Sequence, residues 1–196
     1  MRILLSSTSL ATLALLTTAC APDVDDVAHP SLPPSPVVDS TPYLCKFVPD
    51  RAFRLVSDTT GILPEKTDGN DRNGNCRAPD TSAQALEVWW MQEGGMPKGH
   101  LDFLMNDRRK VYSRYGGVVL PADLGEGMAA YVANPPVNDQ PYNVSAKFRC
   151  GTMDRLIDIS LPKISKGRDA MKDLTDLMRI AQKRYAEVHN CTLKTG

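Results

Sequence analysis

An α+β domain built on an antiparallel sheet is the fold class this sequence predicts, and three observations predict it. The segment 170–188 carries one apolar stripe at helical spacing. Two neighbouring segments, 144–150 and 155–161, alternate apolar and polar residues on either side of a turn. Four cysteines downstream of the N-terminal region, Cys45, Cys76, Cys150 and Cys191, offer two disulfides.

The helix at 170–188 is the clearest element. Ala170, Met171, Leu174, Leu177, Met178, Ala181, Tyr185 and Val188 share one face. Asp169 and Asp173 come early and Lys183 and Arg184 late, as the helix dipole favours. A second helix is predicted near His100–Tyr115, where Leu101, Leu104, Met105, Val111, Tyr112 and Tyr115 recur at helical spacing. A short one is predicted after Pro49, with Ala52, Phe53 and Val56 on one face and Gly61 as its stop.

Strands are predicted at Ala85–Met91, Met128–Ala133, Val144–Cys150 and Arg155–Leu161, the last two joined by Gly151-Thr152-Met153-Asp154. Alternation sorts them into two faces. Leu86, Val88, Trp90, Val144, Ala146, Phe148, Cys150, Ile157, Ile159 and Leu161 belong to an apolar one. Glu87, Trp89, Ser145, Lys147, Arg149, Leu156, Asp158 and Ser160 belong to the other. A sheet of about four or more strands, with helices packed on one face and a long C-terminal amphipathic helix, follows from that division.

The cysteines allow three pairings. Locality favours Cys45–Cys76 and Cys150–Cys191, which close loops of roughly 30 and 40 residues and stabilise by about 3–4 kcal/mol each in the chain-entropy account. No C-x-x-C pair is present to hold zinc.

The N-terminus reads as an address. Met1-Arg2, the apolar run Ile3–Leu16 and Thr17-Thr18-Ala19 follow the secretory order of positive, apolar and small residues. The run is too short and hydroxyl-rich for a permanent span of about 20 apolar residues. Leu16-Thr17-Thr18-Ala19-Cys20 resembles the bacterial lipobox, with Thr17 where that motif favours Leu. The resemblance implies cleavage after residue 19 and a diacylated Cys20. Residues 20–42 hold Pro22, Pro30, Pro33, Pro34, Pro36 and Pro42 and are expected to form an extended stalk. Residues 43–196 are expected to form a single globular domain. Removing residues 1–19 takes Lys plus Arg from 23 to 22 against 23 acidic residues, a net charge of −1. A near-neutral chain has no electrostatic pull toward nucleic acid.

Beyond the lipobox and stalk, Cys45-Lys46-Phe47-Val48-Pro49 opens a short helix, Cys76 supplies a second cysteine, and Leu124-Gly125-Glu126-Gly127-Met128-Ala129-Ala130-Tyr131 precedes two strands and a closing helix. This order resembles the actinobacterial lipoproteins classed as domain of unknown function 3558, over roughly residues 42–191. The long Asp/Asn/Gly loop before Cys76 and the late Cys191 depart from that pattern. The resemblance implies an extracytoplasmic, membrane-anchored place and an α+β fold, and it carries no catalytic residues.

Several motif fragments are better explained by ordinary structure. Gly125-Glu126-Gly127-Met128-Ala129-Ala130 fits a dinucleotide fingerprint, but Pro121 and Pro135-Pro136 leave no room for the required strand and helix, so a turn into a strand is expected. Ser160-Leu161-Pro162-Lys163 and Lys194-Thr195-Gly196 echo penicillin-binding serine enzymes, yet the middle element is absent and the second fragment is a tail expected to fray. Asp68–Asn75 hints at a calcium loop, but Gly69 falls at the first ligand position and Asp80 replaces the usual Glu, so a hydrated turn is expected. His29, His100 and His189 form no triad or metal pattern, and His189 reads as a helix-end residue. Asn143 and Asn190 begin glycosylation sequons that a bacterial lipoprotein has no evident use for.

What remains is the second sheet face. Trp89 and Glu87, with Lys147, Arg149 and Asp158 on the hairpin, place an aromatic ring among charges and form the candidate binding face for an envelope protein or glycan. The expected role is a non-enzymatic binding or sensing lipoprotein, anchored through Cys20 on the extracytoplasmic face of the cell membrane, without metal or cofactor. The alternatives are a carrier of an apolar small molecule held between helices and sheet and, more remotely, an envelope enzyme.

Overall fold

The computed structural model describes residues 34–79, 84–94, 96–134 and 140–194. The signal region, Cys20 and the stalk up to Pro33 lie outside the described residues. In chain order the elements are β1 (Tyr43–Leu44), β2 (Val48–Pro49), α1 (Asp50–Ser57), β3 (Lys66–Gly69), β4 (Gly74–Pro79) and β5 (Gln84–Gln92). Then come α2 (His100–Arg114), β6 (Val118–Val119), β7 (Glu126–Tyr131), β8 (Tyr142–Cys150), β9 (Met153–Leu161), α3 (Ala170–Val188) and β10 (Leu193–Lys194). The main sheet is antiparallel, in the order β3-β4-β5-β9-β8-β7-β6, with β10 added to the end of β8. The class is α+β, as predicted.

The expected apolar face exists and is buried as a unit. Leu86, Val88 and Trp90 of β5, Val144, Ala146 and Phe148 of β8, and Ile157, Ile159 and Leu161 of β9 form one core with Phe53 and Val56 of α1 and Leu174, Leu177, Met178 and Tyr185 of α3. Helix α3 starts where its cap residue dictates, because the Asp169 carboxylate accepts the Lys172 N–H. Both expected disulfides are formed, Cys45–Cys76 and Cys150–Cys191, with Cα atoms 5.4 and 5.5 Å apart. The second ties the chain just beyond α3 to the end of β8.

Four expectations are corrected. Helices occupy both faces of the sheet, since α2 packs on the second face. There Leu101 and Met105 meet Met91 and Leu156, and Tyr112 meets Met128, Ala130 and Val132. An amphipathic helix must bury its apolar side, and these sheet residues supply the surface. Helix α1 stops at Ser57 because Asp58, not Gly61, takes the left-handed cap conformation. Residues 34–42 are not free stalk. Val37 packs on the core, Arg168 donates to the Ser35 carbonyl at 3.0 Å, and Lys183 pairs with Asp39 at 2.9 Å. Finally, the start of the tail is ordered, since Lys194 of β10 pairs with Arg149 of β8, while Thr195 and Gly196 lie outside the described residues.

The polar segment before Cys76 is a hairpin rather than a plain loop. β3 and β4 pair from Lys66↔Arg77 to Gly69↔Gly74, and the turn between them is held by Asn70, whose side-chain oxygen accepts the N–H groups of Arg72 and Asn73. The Gly125 fragment is the expected turn: a short 3-10 turn at Ala122–Leu124 leads through Gly125 into β7.

Candidate functional site

The second sheet face has two parts. Helix α2 covers β7, β8 and the adjoining part of β9, where its apolar side meets Leu156, Met128 and Ala130. Beyond it, toward β5, β4 and β3, the sheet residues are polar. The register places Asp68, Asn75, Trp89, Asp158 and Ser145 in one row across five strands, with Lys66, Arg77, Glu87 and Ser160 in the next. Trp89 is 39 % exposed in the first row, while its neighbour Trp90 on the opposite face is 1 % exposed. The result is a shelf: β3–β5 form its floor, Trp89 lies near the middle, and α2 stands over the adjacent strand as a wall.

The base of that wall is a buried polar network. Arg108 of α2 donates to Asp158 Oδ2 at 3.1 Å, and the Tyr112 hydroxyl lies 2.9 Å from Ser145 Oγ. Asp158 is 6 % exposed and its Oδ1 has no hydrogen-bond partner. Burial alone would lower the Arg108 pKa, but the Asp158 carboxylate outweighs it and holds the guanidinium charged. Burial, reinforced by the Asp158 charge, pushes the Tyr112 phenol upward, so it remains a neutral partner for Ser145.

The predicted site residues are therefore divided. Trp89, Glu87 and Asp158 are brought together, but Asp158 and Glu87 are buried rather than open. The expectation of an exposed Asp158 fails because Arg108, fifty residues earlier, closes over it. Lys147 lies at the foot of α2 on the far side, bridging Asp102 and Glu126, the latter at 3.0 Å. Burial opposes its charge, yet those two carboxylates raise its pKa above the ordinary lysine value. Arg149 sits at the hairpin end and donates to the Thr152 carbonyl at 3.1 Å, away from Trp89. Sequence reasoning missed Asn75, Arg77 and Arg108. The first two lie on a strand whose apolar alternation is carried only by the small residues Cys76 and Ala78, and Arg108 could have been found only by placing α2 on this face.

Three other features lie away from the shelf. At the C-terminal end of α3, Arg155 Nε, Tyr185 Oη and His189 Nε2 are enclosed without hydrogen-bond partners. His189 stacks on Tyr185 with ring centroids 4.0 Å apart and faces Phe47 at 6.3 Å. Burial lowers its pKa, Asp71 opposes this, and Arg155 and Lys46 add to it. The three atoms are enclosed, while His189 as a residue is half-buried. Elsewhere, a cleft of about 730 Å³ runs between residues 35–40 and the outer side of α1, lined by Pro36, Val38 and Leu55 with Arg51 and Arg54. Cys45, Glu65 and Cys76 bring ligand-type atoms within 4.8 Å of one another, but the two sulfurs are bonded to each other. Among the described residues, no helix is long and apolar enough to cross a membrane.

No known protein family, curated protein or solved structure matches this chain.

Proposed function

We propose that this chain is a lipoprotein anchored through Cys20 on the extracytoplasmic face of the cell membrane. Its domain is a non-enzymatic module that holds an envelope partner on the Trp89 shelf. The observation that carries the reading is Trp89 itself. A large aromatic ring, 39 % exposed on an ordered sheet and beside a braced Arg–Asp pair, is the surface arrangement from which binding hot spots are made. Two disulfides in a chain of this size support an oxidising compartment. The lipobox-like Leu16–Cys20 supports the same address.

A carrier of an apolar molecule between helices and sheet would need a hollow in the core. The cleft at α1 lies instead on the outside of the helix layer, with two arginines in its lining, so it favours that reading less. The test is photo-cross-linking in intact cells, using the lipidated full-length chain with the reactive group at Lys66, exposed on the shelf floor, and mass spectrometry of what is captured. Capture that depends on Trp89 supports the reading. Capture indifferent to Trp89→Ala contradicts it.

A further inference from the structure

We propose that the Trp89 shelf takes a neutral glycan, with one sugar ring stacked on the indole and its hydroxyls read by Asn75, Arg108 and Asp158. The inference rests on the binding-face reading above and names its ligand class.

Three features of the shelf point there. First, among the described residues Trp89 is the one aromatic ring on the shelf floor. Its cross-strand neighbours are Asn75 on β4 and Asp158 on β9, and Lys66, Asp68 and Arg77 occupy the floor beyond. A protein partner draws on a contiguous apolar centre with a polar rim, and here the apolar centre is one ring wide. A pyranose matches such a centre, because its C–H face is apolar while its rim carries hydroxyls.

Second, the charges are settled internally. Arg77 pairs with Asp68 at 3.3 Å and Arg108 with Asp158 at 3.1 Å. Lys66 and Glu87 add one charge of each sign. A surface so balanced exerts no pull on a polyanion or polycation, yet keeps donors and acceptors for an uncharged partner.

Third, the spacing suits a ring. Asn75 and Asp158 flank Trp89 at one strand spacing on either side, about 4.8 Å, so they bracket the indole at the distance of a sugar's rim hydroxyls. Asp158 also has an acceptor to give, because Oδ1 is without a partner while Oδ2 is held by Arg108. That atom is enclosed in the free protein. The Arg108 side chain, 28 % exposed, must therefore shift before a hydroxyl can donate to it. Asn75 and Arg108 are themselves only half-buried, so both offer part of their surface to a ligand from the start.

The test uses the full-length chain in a non-glycosidic detergent, with the N-acetylglucosamine tetramer, maltotetraose and α-mannotetraose as probes and a sulfated oligosaccharide as the charged comparison. Isothermal titration calorimetry measures binding for every variant, and because Trp90 is buried a ligand-induced change in the fluorescence of the unsubstituted chain reports on Trp89. At least one neutral probe should bind, Trp89→Ala should weaken it about tenfold or more, and Trp89→Phe should retain most of the affinity. Asn75→Ala should weaken it while leaving the circular dichroism unchanged. Preference for the sulfated probe, or neutral binding indifferent to Trp89, overturns the inference. If no oligosaccharide binds but a cross-linker at Lys66 captures a protein in a Trp89-dependent way, the glycan inference fails and the binding-face reading stands. If neither happens, both fail.

Discussion

The adjacent tryptophans give the strictest check on the division of the sheet into faces. Trp90 is 1 % exposed, its ring meets Phe47 edge-on at 5.6 Å, and its Nε1 donates to the Asn70 carbonyl at 2.9 Å. Trp90→Ala therefore opens a large cavity and leaves a carbonyl without its donor. Large aromatic deletions in cores cost about 3–5 kcal/mol. That is a substantial share of the roughly 5–15 kcal/mol that holds a domain folded. Trp89→Ala, with 39 % of the residue already in water and outside the buried core clusters, should cost about 1 kcal/mol. Gly74→Ala probes the same packing from the other side. A Cβ there would lie 2.5 Å from Trp90 Cζ2 and 2.8 Å from the Asp68 carbonyl oxygen, a backbone atom that cannot step aside. Overpacking of this kind costs about 1–3 kcal/mol. Denaturant unfolding with the disulfides intact, followed by far-UV circular dichroism, measures all three. Trp89→Ala as destabilising as Trp90→Ala, or a neutral Gly74→Ala, would refute the assignment of faces.

Three further outcomes are expected. Arg168 and Asp173 form a buried bidentate pair whose side chains are 7 % and 5 % exposed, so Asp173→Ala should cost about 3–5 kcal/mol by stranding a charge, and should loosen the segment at Ser35 that Arg168 also holds; limited proteolysis and unfolding curves read both. His189 has a depressed pKa through burial, so below about pH 6.5 the unfolded chain binds more protons than the native one and stability falls as pH falls; unfolding at about pH 7.5 and about pH 5.5 should show a slope that His189→Phe flattens, and an unchanged slope would contradict this. Cys20→Ser should shift the protein from the membrane fraction to the medium, because two acyl chains anchor stably where none does; unchanged partitioning would sink the anchor.

The elements legible in the sequence were those whose own residues carry the pattern. Helix α3 has a capping Asp169 and a stripe ending at Val188, and its observed bounds agree with that stripe. The hairpin faces were legible because Phe148 and Ile157 alternate with Lys147 and Asp158, and the register preserves the alternation. The β3–β4 hairpin was not, since Lys66-Thr67-Asp68-Gly69 is polar on both faces. Its position depends on distant partners, namely the Cys45–Cys76 bond and the Trp90 ring lying against Gly74. The placement of α2 turned on a signal that was visible but unweighted. Leu156 stood among the polar-face residues, and Met91 and Met128 share that face. Three large apolar residues there require a cover. The candidate site suffered from the same gap, because burial of Asp158 follows from Arg108 and not from any property of β9 alone.

Cross-linking in intact cells, with the lipidated chain carrying its reactive group at Lys66, tests the central claim most directly. The account predicts a discrete adduct in the membrane fraction that persists in Phe103→Ala, which alters an exposed ring on α2, and is lost in Trp89→Ala while the folded protein remains at normal abundance. An adduct equally strong in Trp89→Ala, or none from the wild-type chain, would contradict it.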